Sequence, residues 1–568
     1  AENNREEDWQ TKADLSNITL KVSGENAKGV AVQGGARAEI TNTTTFSVEG
    51  DGATLAEIDG KYYDLNGKEA PNSLNGVYST AKSTLESAAI LNASSFNATN
   101  STGYLVKNNG VLSHSGRIDF TGSSNNNVGV KVVDGGKLVN NENSFIKVKG
   151  NAIEVSGNAS EVEINSTQAN TPIVWALGTG NTATPGSAYH LKDQSNLKLT
   201  GAGLTKAEGG AHGVLVDGAS KVVIDSSNIE VAGAGNGIEN RSALDNIQFI
   251  NNATIKVEDG VGIHSGVGFS SPEKTKGVIN VTGSGTGIKF EKINKDTGAS
   301  EGDTDVAIQN TGFENVVINV RGAAGKGIDV HSTKDVVTSA SVNVMDASGN
   351  SALIVDGTSE NVKQSGRLQS ASSNPIVSLN NNVKNFTNEG QLLSGTFNND
   401  TFTAEKDKDK FALKQDANRS ALNFTNNGEI NNTVELLGKN PDGTGNTVTL
   451  ADGSKGELFK TGNGNDPNPA NLFGETAKFN FSRFVSQEGN EIIGKIGSTE
   501  AFDEAKNVEF FKQWQKYVHD QAFIFPTLIG ESVTAVNKRV KFMNSEIGTK
   551  DAKSELYQIE LVSENSSK

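Results

Sequence analysis

The side chains able to do acid–base or metal chemistry are thinly spread along this chain. The six histidines are His114, His190, His212, His264, His331 and His519, and no two stand at the close spacing that lets a pair of imidazoles share a metal. The sequence therefore predicts no metal site. His264 and His331 each closely follow a Gly-Ile step, which stacks them only if the chain repeats. Asp217, Asp329 and Asp356 lie in or just after short aliphatic runs. Cleaving a polysaccharide needs such acids clustered with a basic group on one face. Corner aspartates that close a turn onto their own backbone are the commoner use of the residue. No catalytic residue and no cofactor is expected, and the chain reads as a non-enzyme. Residues 461–466 (TGNGND) look like a single calcium-binding nonapeptide turn, but one copy has no neighbour with which to share an ion. No Gly-x-x-x-x-Gly-Lys-Ser/Thr phosphate loop is present.

What would position these groups is a repeat. At 568 residues, with 63 Gly, 9 Pro and 6% aromatics, the chain is too long for one compact core and is rich in short β-branched runs such as Val222-Val223-Ile224. A Gly-aliphatic step recurs at Gly213-Val214, Gly237-Ile238, Gly262-Ile263 and Gly287-Ile288, then at Gly327-Ile328 and Ala352-Leu353. The intervals are 24, 25 and 25 residues, and 25 again after a longer gap. Each period holds three short strands separated by Gly, Asn, Asp and Ser. Gly213-Val214-Leu215-Val216, for example, leads to Val222-Val223-Ile224 and then Ile229-Glu230-Val231. Three strands per period of about 25 predict an all-β fold, a right-handed parallel β-helix, over residues 15–463. Inward aliphatics of one rung cannot bury themselves alone, so rungs stack and bury a continuous column. Asn and Gly at the corners tolerate left-handed backbone. About 17 rungs would make a rod on the order of 80 Å long.

Two stretches interrupt the pattern. Residues 59–90 carry Tyr62, Tyr63 and Tyr78 with a helix-prone run from Ala81 to Ile90, and read as a projecting loop or short helix. Residues 168–196 carry Trp175 and Tyr189. Tyr and Trp are rare elsewhere, so Tyr62, Tyr63, Tyr78, Trp175 and Tyr189 are the candidate contact residues. The net charge of −16 argues against a nucleic-acid partner, and no run of 18 apolar residues crosses a bilayer. Residues 1–14 are polar and expected to be frayed; the opening Ala-Glu-Asn-Asn suits a processed N-terminus. The absence of cysteine suits a chain exported unfolded through an oxidising compartment.

Composition shifts near residue 463. Phe510, Phe511, Trp514, Tyr517 and Val518 fall on one face of an expected helix over residues 503–521, and Val533-Thr534-Ala535-Val536 reads as a strand. Residues 464–568 thus form a small α+β appendage.

Two resemblances follow from these motifs. Asn385-Phe386-Thr387-Asn388-Glu389-Gly390 and Asn423-Phe424-Thr425-Asn426-Asn427-Gly428 are near copies, and with the rungs before them resemble late rungs of Gram-negative autotransporter passenger domains. That resemblance implies export through the outer membrane and secretion or display at the bacterial surface. It also implies adhesion to a host-cell or matrix protein or glycan, or self-association. The translocator β-barrel of such proteins is not among these residues, and no Gly-Asp-Ser-Gly protease motif occurs. The appendage is similar to the C-terminal part of oligopeptide-binding proteins of bacterial ABC importers. The likeness rests on Asp466-Pro467-Asn468-Pro469, Leu472-Phe473-Gly474-Glu475, Phe479-Asn480-Phe481-Ser482-Arg483-Phe484, Phe511-Lys512-Gln513-Trp514-Gln515-Lys516-Tyr517, Pro526-Thr527-Leu528 and Val536-Asn537-Lys538-Arg539-Val540. About 105 residues span only part of such a protein, so most of a peptide cleft would lie elsewhere.

Overall fold

The structure, a computed structural model, describes residues 12–61, 83–92, 100–122, 126–242, 247–268, 276–310, 315–405, 407, 410–438, 440–441 and 446–450, with strands at 458–461, 477–480, 485–488, 491–494, 525–529, 531–535, 540–542 and 559–561. Tyr62, Tyr63, Tyr78 and the expected helix over 503–521 lie outside the described residues.

The chain winds into a right-handed parallel β-helix of about 15 turns, with no helix among the described residues. Three faces run along it. The first includes Asn196–Thr200, Lys221–Asp225 and Ile247–Ile250; the second Leu204–Glu208, Asn228–Val231 and Ala253–Val257; the third His212–Val216, Ile238–Asn240 and Val261–Ser265. The count falls below the 17 expected because several turns carry long excursions: Ile288 pairs with Ile328, 40 residues on, and Val377 with Leu413, 36 on. At about 4.8 Å per turn the rod is on the order of 70 Å long.

The aliphatic step makes the core. Val214, Ile238, Ile263, Ile288, Ile328 and Leu353 are partners in consecutive rungs, each fully buried. The preceding glycine exists for space. A Cβ on Gly213 would stand 2.6 Å from the Gly237 carbonyl oxygen and 2.6 Å from Ile229 Cγ2, closer than side-chain atoms approach backbone. At the corners Asn17, Asn26, Asn108, Asn109, Asn251 and Asn252 hold left-handed backbone, with φ between 53° and 65°.

The two near-copy segments are stacked rungs. Asn385 pairs with Asn423 and Phe386 with Phe424. The two rings lie 6.0 Å apart and nearly parallel in the core. Outside, Asn423 Nδ2 donates to Asn385 Oδ1 and Asn385 Nδ2 to Asn361 Oδ1, both at 2.8 Å. Inside the corner, Asn388 Nδ2 donates to Asn426 Oδ1 at 2.7 Å. Each position of the motif thus does the same job one turn later.

Two expectations need correction. The end of the run Ala81 to Ile90 is not helical: Thr84–Ser87 and Ile90–Asn92 are rung strands. Thr84–Ser87 is held between Arg37–Ile40 and Val111–His114, and that pairing with burial of Leu85 overrides local helix preference. The stretch 168–196 is no departure from the rod, since Pro172–Leu177 and Ser187–Lys192 occupy the second and third faces and only the turn between them projects. Parallel pairing also passes residue 463: Ala477–Asn480 aligns with Asn446–Leu450. Further on, Val485–Glu488 with Glu491–Gly494, Phe525–Ile529 with Glu531–Ala535, and Val540–Phe542 with Ile559–Leu561 form antiparallel pairs.

Candidate functional site

Strand alternation turns one row of the third face inward as the aliphatic column and the next row outward. Successive outward partners are Lys131, Glu154, His190, Leu215, Glu239, His264, Lys289 and Asp329. The row at the end of those strands adds Lys192, Asp217, Arg241, Glu291, His331 and Asp356. The result is a charged ribbon along the axis, and its members are tied to each other. Lys131 and Lys192 reach Glu154 at 3.0 and 3.6 Å, and His190 Nε2 meets Asp217 at 2.6 Å.

The ribbon is densest around His264. Its Nδ1 is 2.8 Å from Glu239 Oε2 and its Nε2 2.8 Å from Glu291 Oε1. Arg241 Nε donates to Glu239 Oε1 at 3.2 Å, Lys289 Nζ to Glu291 Oε1 at 2.7 Å, and Ser300 Oγ to Glu291 Oε2. Though outward, Glu239, Arg241, His264 and Glu291 are buried, because an excursion after Thr286–Phe290 folds back across them. It closes as a small antiparallel turn: Asn294 N donates to Ala299 O, Glu301 N to Lys292 O, and Ile293 bridges Ser300. Gly298 at its tip sits against Arg241 and Glu239.

Burial alone would push His264 down. Hydrogen bonds to the two carboxylates, and their charges, more than offset it and hold the imidazole at about 9. Burial likewise pushes both glutamates up, and the His264 bonds reverse it, leaving each at about 2. At neutral pH this is a carboxylate–imidazolium–carboxylate clamp, and none of the three is poised to exchange protons. His212, two rungs before His264, is the opposite case: burial drives it down to about 4, and its Nδ1 accepts the Asn236 backbone N–H.

The return of the excursion reaches a second cluster. Thr304 N donates to His331 O, and Asp303 Oδ1 lies 3.9 Å from His331 Nδ1. His331 Nε2 stands 3.2 Å from Asp329 Oδ1 and 3.7 Å from Asp356 Oδ2. The three ligating atoms lie within 4.8 Å of one another.

Of the candidate acids, Asp329 and Asp356 meet on adjacent rungs, while Asp217 lies apart with His190. His264 and His331 do share a face, but in separate clusters. Trp175 sits on the second face between two lysines in register, with Lys147 Nζ 3.8 Å and Lys206 Nζ 4.8 Å from its ring. Tyr189 is corrected: it is fully buried in the aliphatic column between Ile153 and Val214, with its hydroxyl 3.2 Å from Thr205 Oγ1, so it offers no contact surface. Sequence reasoning missed the clamp. The signal was present, since Glu239, His264 and Glu291 are separated by 25 and 27 residues, close to the period.

No family model matches the chain, and no solved structure matches it. Among curated proteins, a 91-residue segment is 30% identical to an oligopeptide-binding protein OppA of Lactococcus lactis subsp. cremoris, covering 16% of this chain and 73% of that relative. In that segment the chain belongs to the oligopeptide-binding protein family. An OppA of strain SK11 matches equally, but the chain spans only 15% of its length. The oligopeptide-binding motifs named above run from Asp466 to Val540, and of that stretch only short strands are described. The clamp and the cluster at His331 lie in the β-helix, before those motifs begin.

Proposed function

We propose that the rod is an exported binding surface, an adhesin-like passenger secreted from or displayed on a Gram-negative bacterium, and not an enzyme. It would engage a host-cell or matrix protein or glycan, or a second copy of itself. The observation that carries this reading is how the third face uses its charges. Glu154, Glu239, His264 and Glu291 are committed to neighbouring rungs, which builds a stiff exterior and leaves none of them free for turnover. The stacked Asn-Phe-Thr-Asn rungs support the passenger resemblance. A shallow groove on the second face, about 250 Å³ and lined by Lys206, Glu208, Glu230, Lys256 and Glu258, is far from the acids near His331 in sequence and holds acids and lysines in mixture. Trp175, flanked by lysines on that same face, supports reading it as the contact side.

The test is saturable binding of the labelled chain to a panel of epithelial cells and matrix proteins. Failure to saturate on any surface, together with depolymerisation of a polysaccharide, would sink the adhesive reading in favour of a carbohydrate-active one. A second reading comes from the relatives' name, binding of oligopeptides. Cell binding that survives deletion of residues 464–568, with no peptide affinity in the intact chain, removes it.

A further inference from the structure

We propose that Asp329, His331 and Asp356 bind one divalent transition-metal cation, of the zinc or manganese kind, on the third face of the rod. Asp329 and His331 belong to and follow Lys326–Val330, and Asp356 follows Leu353–Val355, the next rung. Parallel stacking therefore brings the two acids to one spot, and the imidazole two residues beyond Asp329 leans between them.

Each carboxylate has one oxygen occupied and one left over. Asp329 Oδ2 accepts from Lys326 Nζ at 2.9 Å. Asp356 Oδ1 accepts from Asn380 Nδ2 at 2.7 Å. His331 Nδ1 faces Asp303 at 3.9 Å. The remaining atoms, Asp329 Oδ1, His331 Nε2 and Asp356 Oδ2, point at one another. Outer partners such as Lys326 and Asn380, which fix the far oxygen of each carboxylate, help orient a metal site.

The decisive group is Asp329 Oδ1. Asp329 is 2% exposed, and this oxygen accepts no hydrogen bond. His331 Nε2 is near enough for an ion pair, at 3.2 Å, but lacks hydrogen-bond alignment. A buried carboxylate oxygen without a donor is costly. A bound cation would replace the misaligned His331 contact at this oxygen with a direct bond. Bonds of about 2.0 to 2.2 Å at octahedral to tetrahedral angles separate neighbouring ligand atoms by roughly 2.8 to 3.6 Å. The separations at His331, 3.2 and 3.7 Å, need only small rotations to meet that, and the two carboxylate oxygens, within 4.8 Å of each other, would close on the ion by rotation of Asp356. One imidazole with two carboxylates suits zinc or manganese better than calcium, which prefers an all-oxygen shell. Three protein ligands leave positions for water or for an oxygen of a bound partner.

Titration calorimetry of the intact chain with zinc chloride and, separately, manganese chloride tests the proposal. One saturable site is expected for at least one of the two metals. Asp356→Asn, at a partly exposed strand end, and His331→Gln should each weaken it by roughly 100-fold or more, while His190→Gln, at the other His–Asp pair, should leave it unchanged. No saturable binding of either metal overturns the proposal. So does binding that both site variants retain, or that His190→Gln removes. The readout does not depend on cell adhesion, so the two proposals fail independently.

Discussion

His264→Ala takes away the cation that two buried carboxylates share. In the folded chain His264 is held at about 9, against about 6.5 for a free imidazole. That difference corresponds to about 3 kcal/mol favouring the folded clamp when His264 is charged. The glutamates' downward shifts report the same contacts and are not added again. Losing one partner of a buried ion pair costs roughly 3–5 kcal/mol. Arg241 remains on Glu239 and Lys289 on Glu291, so about 3 kcal/mol is the better figure. The loss should be local, because a stacked solenoid opens in segments. Native-state hydrogen exchange reads it at the backbone amides of Lys292, Asn294, Gly298 and Glu301, all bonded within the excursion. With intrinsic rates corrected, those amides should exchange about 100-fold faster in the variant at pH 6. The wild-type protein provides the pH arm. Because the folded value is raised, the contribution is complete below about 6.5 and fades as pH rises through about 9. The glutamates are depressed, so their contribution is complete above about 4.5 and lost only as pH falls through about 2. Equal exchange in variant and wild type, or flat protection between pH 6.5 and 9, refutes the clamp.

Three more outcomes follow from the packing. Ile263→Ala leaves a hole between Ile238 and Ile288 and should cost about 2–5 kcal/mol in urea unfolding, with Ile263→Val costing about 1; a change below about 0.5 kcal/mol would deny the column its role. Gly213→Ala should destabilise the rod despite alanine's better backbone entropy, because its Cβ meets the Gly237 carbonyl, and a raised melting temperature would contradict that. His114 and His212 are held at about 4 by burial, so their ring resonances should stay neutral down to that pH. Folded values this low make the rod lose stability as pH falls from about 6.5 to 4, and a ring titrating near 6.5 would show that its site is open to water.

The period near 25 was legible because it comes from the part of the fold that repeats: an aliphatic that must face its copy, and a glycine with no room for a Cβ. The Asn-Phe-Thr-Asn rungs were legible for the same reason. Tyr189 is misleading because it occupies a column position that most later rungs fill with Val, Ile or Leu, and a rare aromatic residue is not thereby an exposed one. Its hydroxyl found Thr205 on the second face, which no local pattern reveals. The clamp was hidden for a different reason. Glu239, His264 and Glu291 are ordinary outward residues until the excursion after Phe290 covers them, and covering is a tertiary fact.

That contrast bears on how the rod finds its register. A column of near-identical aliphatics does not by itself say which rung lies on which, since Ile238 would pack on Ile288 about as well as on Ile263. A one-residue slip is forbidden because it turns every inward side chain out. A slip by a whole turn is not forbidden by the core at all. It is penalised by the outward row, whose members differ from rung to rung. Moving the rung of Glu291 away from that of His264 would strip the imidazolium of one carboxylate and bury the other charges unmatched. Moving Asn423 from Asn385 would break the side-chain amide ladder. On this account the repeating interior supplies the favourable free energy, and the non-repeating exterior selects one stacking among many of similar energy. The clamp variant then has a consequence beyond local fraying: refolded His264→Ala chains should contain a fraction with altered exchange protection on both flanking rungs, whereas Ile263→Val, which weakens the core without touching the outward row, should refold to a single population.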